Sequence, residues 1–273
     1  MARAECPRHF SAGKATLLEI RNLQKTYDQA TTPALLDFDL EVGTGEFVSL
    51  IGPSGCGKTT ALRIVTGLLS ASGGEVFVDG VPSMKPSPDK AIVFQMFNLF
   101  PWRTALQNVA YGLEMQGVSK KVRLAKAEEY LALVGLSDRM NHYPSQLSGG
   151  QNQRVGLARA LAIEPKLILM DEPFGALDAL TREYLQALLQ KIVAEKGLTC
   201  LFVTHSIDEA IFLSDRIIVM GVPGQTIGEF AIDLPRPRQD TDWRATPECA
   251  EARHEIWGLL QGQIKTMVES AVA

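Results

Sequence analysis

The sequence is poor in what membrane, secreted and nucleic-acid-binding chains are rich in. No apolar run among its 273 residues approaches the ~20 that a membrane-spanning helix needs, so work at a membrane would need a partner that spans it. The four cysteines, Cys6, Cys56, Cys200 and Cys249, are scattered without CxxC spacing or a histidine cluster. That excludes a zinc site and a disulfide framework and fits a reducing cytoplasm. The opening stretch MARAECPRHFSAGKATLLEI lacks the apolar centre of a signal peptide. With 27 basic and 31 acidic residues the net charge is 27 − 31 = −4 and there is no long basic run, so nothing asks for nucleic acid as a partner. Internal repeats and low-complexity tracts are also missing.

What is there is an ordinary globular composition, 46% hydrophobic and 21% charged, able to bury a large core. LLEIRNLQKTY (17–27) and PALLDFDLEV (33–42) read as strands, and FVSLIG (47–52) as a buried one. A helix, KTTALRIVTGLL, follows, and SGGEVFVDG leads into an edge strand. From about Gln95 to Ala162 the pattern is helical, after which LILMD (167–171), TCLFVTH (199–205) and RIIVM (216–220) return as strands around the helix TREYLQALLQKIVAE. Apolar strands alternating with helices predict an α/β fold with a mainly parallel core sheet, an antiparallel β edge and a helical subdomain insert. LPRPR (234–238) reads as a rigid connector to a C-terminal helix. There Ile256, Leu260, Ile264 and Val268 recur every four residues, which predicts an apolar stripe packed on the domain.

GPSGCGKTT (52–60) has the P-loop spacing GxxxxGK[ST] at Gly52, Gly57, Lys58 and Thr59, between an apolar strand and a helix. Such a loop turns backbone N–H groups, with the positive end of the helix, toward phosphate oxygens. Lys58 is expected to reach the β and γ phosphates of ATP and the Thr59 hydroxyl to ligate Mg²⁺; Pro53, Ser54, Gly55, Cys56 and Thr60 complete the cradle. LILMDEP brings Asp171 to a strand end to organise the Mg²⁺ shell, with Glu172 placed to activate water. Cys56 stands beside Lys58, where a positive neighbour lowers a thiol's pKa and alkylation would block nucleotide binding; the other reading is a small residue that fits.

A second glycine turn, LSGGQNQRVGLARALA (147–162), also opens a helix. Ser148 is a good N-cap, Gly149 and Gly150 expose backbone donors, and Leu157 with Leu161 give an apolar side. This is a second anion site, and since one ATP already has its phosphates in the P-loop, the economical solution is that Ser148, Gly149 and Gly150 bind the ATP of another copy.

LSGGQ resembles the signature sequence of ATP-binding cassette (ABC) ATPases, and further motifs of that family occur in its order over about residues 17–240. Tyr27 resembles the aromatic that stacks on adenine, Gln95 the Q-loop glutamine, Asp178 in GALD the D-loop aspartate and His205 in VTH the switch histidine; Gln151 closes the signature. Taken alone, His205 would be a core histidine, Tyr27 a strand aromatic and Gln95 a polar strand end. The resemblance implies that His205 contacts the γ-phosphate, that Gln95 senses it through Mg²⁺ or water, and that Asp178 works across a head-to-tail dimer with two ATP molecules sandwiched inside. It also implies a flexible segment over 1–16, an ABC ATPase domain over 17–240 with its helical subdomain at about 96–160, and a helical extension over 241–273.

FGALDALTRE and LPRPR look like the ATPase subunits of nitrate, sulfonate and taurine importers. The implied partners are a second copy, transmembrane permease subunits and, through them, a solute-binding protein; the implied location is peripheral, on the cytoplasmic face of the inner membrane. In FNLFPWRT (97–104) the side chains of Phe97, Leu99, Phe100 and Trp102 either dock the permease or form the insert's own core. Two departures from the family pattern, Asn152 after LSGGQ and Ser206 after His205, bear on coupling rather than on ATP use. A P-loop kinase would share Lys58, Thr59 and Asp171 but has no need of LSGGQ, and a DNA-repair cassette would need a long heptad insert that is missing here.

Overall fold

The computed structural model describes residues 15–28, 30–235, 238 and 243–272. All but two residues of the expected 1–16 segment lie outside that set. The chain divides into two compact units, one of residues 1–86 and 193–273, the other of residues 87–192.

In the first unit β1 (Thr16–Lys25), β2 (Leu35–Gly43), β3 (Phe47–Ile51), β4 (Gly73–Val78) and β5 (Val81–Pro82) precede the helical segment. Four of them make an antiparallel sheet in the order β2-β1-β4-β5. Apolar and polar residues alternate along β2: Phe38, Leu40 and Val42 are buried while Asp37 and Asp39 are exposed. Phe38 and Leu40 pair with Leu23 and Ile20 of β1, so one face of the sheet is a continuous apolar layer. The remaining strand, β3, is buried at all five positions and pairs in parallel with β8 (Thr199–Val203) and β9 (Arg216–Gly221). Strands covered on both faces need no polar side, which is why FVSLI and TCLFV read as near-continuous apolar runs. The antiparallel β10 (Gln225–Ala231) borders β9.

Helix α1 (Lys58–Thr66) follows β3 and stops earlier than the run KTTALRIVTGLL suggests. Gly67 takes a left-handed φ of 80° and its N–H returns to the carbonyls of Arg63 and Ile64, a glycine stop that leaves Leu68 exposed. After α6 (Ile207–Leu213) the connector is fastened by Arg238, whose buried guanidinium donates to the carbonyls of Ile211, Phe212, Ser214, Ile232 and Leu234. Arg236 and Pro237 of LPRPR lie outside the described residues. In the last helix, α7 (Pro247–Val272), Ile256 and Leu260 are buried but Ile264 is 48% exposed. The expected stripe is therefore shorter than drawn, because a step of four residues overshoots a 3.6-residue turn by about 40° and the row drifts off the buried face; the Val268 side chain lies outside the described set.

The second unit pairs β6 (Lys90–Val93) in parallel with β7 (Leu167–Asp171). Between them come α2 (Ala105–Met115), α3 (Lys120–Leu133) and α4 (Gly149–Ala162), and after β7 comes α5 (Ala179–Lys196), in which the division of the chain falls. Helix therefore starts at Ala105, about ten residues later than the sequence pattern suggests: Thr104 caps α2, with its hydroxyl accepting from Gln107 N–H and the Gln107 side chain accepting from Thr104 N–H. Parallel strands with helices, an antiparallel sheet and a helical segment match the predicted fold class.

Candidate nucleotide site

The end of β3 delivers Gly52 and the loop that follows. Gly57, the residue before α1, has φ 98°, and a Cβ there would overlap the Ala34 carbonyl and stand 2.8 Å from Leu35 Cδ2, so only glycine fits. The Lys58 ammonium is buried and turned into the loop, donating to the carbonyls of Gly52 (2.8 Å) and Pro53 (3.0 Å) and lying 3.7 Å from Cys56 Sγ. Thr60 is buried and its hydroxyl shares a 3.1 Å hydrogen bond with Tyr27 Oη. Ser54 and Gly55 are exposed at the rim.

Cys56 is fully buried. Burial pushes its thiol up, outweighing the opposing pull of the Lys58 charge. The activated-thiol expectation fails for that reason, and Cys56 is the small residue that fits.

Tyr27 is 42% exposed just beyond β1, with Lys25 Nζ 5.4 Å from its ring centroid. His205 follows β8 and is exposed, so it is not a core histidine. The two residues around it fix the turn. Buried Thr204 donates to Glu209, and Ser206, one of the two departures, caps α6 by accepting from Glu209 N–H at 3.3 Å. The Ser206 hydroxyl thus serves as the helix cap.

In the second unit Asp171 ends β7 and Glu172 follows with φ 46°, a left-handed backbone that a non-glycine residue takes only at a cost. Gly175 is where the two expected polar groups converge: a Cβ there would lie 3.4 Å from Gln95 Nε2 and 3.9 Å from Glu172 Oε2. The sequence reading missed Gly175, whose only signal is a small residue three positions after the acid. Asp178 is exposed and caps α5, accepting from Thr181 N–H at 3.0 Å; hydrogen bonds from the Thr181 side chain first, and from its backbone second, hold the carboxyl below the usual range.

Ser148 caps α4 as predicted, accepting from Gln151 N–H at 3.3 Å. The Gln151 side chain accepts in return from Ser148 N–H at 2.9 Å, so this residue is engaged in a capping box. Asn152 donates to the carbonyls of Pro144 and Leu147, tying the preceding turn to the helix. Gly150 leaves room for Thr181, and Ser148, Gly150, Arg154, Thr181 and Tyr184 line a shallow cavity of about 290 Å³.

In FNLFPWRT the Phe100 ring packs on Tyr111 at 4.6 Å and its backbone is held by the buried Asn108 side chain, as the core reading expects, whereas Trp102 is 70% exposed.

The family model described as ABC transporter matches residues 35–175. The chain belongs to the ABC transporter family. This ABC ATPase is 45% identical over 250 residues to an ABC transporter ATP-binding protein of Methanocaldococcus jannaschii, covering 90% of the chain and 92% of that relative. It is 45% identical over 234 residues to the nitrate import ATP-binding protein of Synechococcus elongatus, covering 84% of the chain but 36% of that longer protein. Among solved structures, the ATP-binding cassette MJ0796, a dimer in a post-hydrolysis state bound to ADP and Pi, superposes with a TM-score of 0.71 at 38% identity, covering 80% of the chain and all of that structure. The ABC ATPase is accordingly an ATP-hydrolysing, ATP-binding subunit. No helix among its described residues is long and apolar enough to cross a membrane.

Proposed function

We propose that this ABC ATPase powers an importer of a small anion, such as nitrate, a sulfonate or taurine, by hydrolysing ATP in a head-to-tail dimer at the cytoplasmic face of a membrane permease. One observation carries the reading: a P-loop and an independently capped glycine helix start occur in the same chain, two anion-ready sites where one ATP fills only one. The nitrate-importing relative supports the solute class, and the dimeric cassette supports the pairing of copies.

In this scheme Gly52 to Thr60 cradle the phosphates, with Lys58 leaving its loop carbonyls for phosphate oxygens, and Tyr27 offers its exposed ring to the base. Ser148, Gly149 and Gly150 present backbone donors to the ATP of the other copy, and Asp178 works across the same interface. The hydroxyl of Thr59 and the carboxylate of Asp171 are hard oxygen donors of the kind Mg²⁺ prefers. In a P-loop ATPase the ion also meets oxygens of the nucleotide phosphates. Mg²⁺ held there would neutralise charge on those oxygens. Glu172 takes a proton from the attacking water, Gln95 orients that water, and His205 donates to the γ-phosphate.

The exposed Trp102 and Met96, beside the Gln95 segment, are the surface for the permease, through which a solute-binding protein delivers the anion. Purifying tagged Glu172→Gln from native membranes with ATP and Mg²⁺, with mass spectrometry of what copurifies, tests this. A multi-span permease is the expected partner. Ribosomal or DNA-bound partners without a membrane protein would overturn the transport role.

A further inference from the structure

Arg159, in the last turn of α4, holds the segment that follows Gln95. It donates from Nη1 to the Asn98 carbonyl (2.7 Å) and from Nη2 to the Phe97 carbonyl (3.0 Å), and its guanidinium stands 5.9 Å from the Phe100 ring centroid. All three partners are uncharged, and burial holds the guanidinium below the usual arginine range. A half-buried cation that meets two carbonyls and a ring gains little stability from them, while a planar fork gripping two successive carbonyls fixes position well. Between those carbonyls Asn98 takes a left-handed φ of 46°. Further along, the Phe97 ring lies 3.9 Å from where a Gly149 Cβ would stand, and the Phe97 carbonyl 3.8 Å from the equivalent point at Gly156. Residues 97–98 thus lie against α4 from its first turn to its last.

We propose that Arg159 is a positioning residue that locks the Gln95 segment to the helix starting at Ser148, so that the two respond to nucleotide as one body. The inference rests on the dimer reading, in which Gln95 attends to the ATP of its own chain and Ser148 to Gly150 attend to that of the other copy. Under it Arg159 couples the two ATP sites: occupancy sensed through Gln95 alters the helix start that serves the second ATP, and the coupling is reciprocal in binding.

The test compares the full chain with Arg159→Gln and Arg159→Lys by hydrogen exchange at residues 95–100 and 148–151 over an ATP titration, alongside kcat and ATP affinity. In the unsubstituted protein both segments gain protection at the same ATP concentration. In Arg159→Gln the P-loop still binds ATP within about twofold, the two segments lose their common response, and kcat falls about ten- to a hundredfold. Arg159→Lys, which keeps charge and stem but not the fork, recovers part of both, and carries the test should Arg159→Gln fail to fold. Segments that still respond together in Arg159→Gln, or a kcat lowered only in proportion to the folded fraction, would overturn the inference. An unsubstituted protein with no ATP-dependent protection at 148–151 would overturn the dimer reading itself, a result visible before any substitution is made.

Discussion

Glu172 shows how much chemistry a single backbone angle can carry. Its φ of 46° costs an ordinary residue about 1–2 kcal/mol, and glycine would adopt that conformation freely at some expense in unfolded-state entropy. Relieved of that cost, Glu172→Gly is therefore expected to melt up to about 3 °C above Glu172→Gln, which loses the same carboxylate, while ATP hydrolysis falls by about a hundredfold or more with the loss of the proposed base. Glu172→Gln, which keeps the strain, loses hydrolysis equally without the gain in melting temperature. Calorimetry and a phosphate-release assay on the two variants check this, and a glycine variant less stable than the glutamine one would contradict it. The position of the acid was legible in LILMDEP, because an apolar run closing on paired carboxylates reads as the end of a buried strand. Its strained backbone was not, since nothing in Glu-Pro announces a left-handed turn. Cys56 marks the same limit from the other side: sequence places Lys58 two residues away, but only the fold shows that burial outweighs that charge.

The start of α4 combines two jobs that substitution can separate. Its capping box stabilises the helix, and a lost cap costs about 1 kcal/mol, so Ser148→Ala should lower the melting temperature by about 2–4 °C. Aspartate caps as well as serine and favours the positive end of a helix, so Ser148→Asp should melt with the unsubstituted protein. Its carboxylate, however, would face the phosphates of the second copy's ATP. Melting curves measured beside ATP-dependent dimerisation distinguish the two roles: Ser148→Asp that is stable but monomeric supports anion binding at this helix start, and Ser148→Asp that still dimerises refutes it. The cap was readable from LSGGQ because N-cap chemistry is local. The ends of other elements were not equally readable: Gly67 cuts α1 short of Leu68, and the row from Ile256 turns out to solvent by Ile264, outcomes set by backbone geometry and drift around the helix rather than by which residues are apolar. The segment 95–104 misled most, because its apolar side chains suit a helix while Asn98 and the cap at Thr104 hold it out of one.

At the scale of the whole molecule, a head-to-tail dimer has a consequence that a site within one chain does not. In the proposed dimer each composite site would take its P-loop from one copy and its Ser148 helix from the other, so a dimer of two differently damaged chains would contain one intact site. Lys58→Ala removes the ammonium for phosphate but leaves the α4 start sound, and Ser148→Asp does the reverse. Alone, each is expected to be monomeric and inactive with ATP. Mixed, they should form hetero-pairs with one working site of the two, restoring up to about half of the unsubstituted hydrolysis rate at saturating protein, because the two-fold relation assigns each half-site to a different chain. Light scattering on the mixture should show an ATP-dependent dimer that neither variant gives by itself. A mixture that stays monomeric and inactive, made from variants that are each folded, would mean that the P-loop and the Ser148 helix do not serve the same ATP, and the second anion site would then need a different ligand.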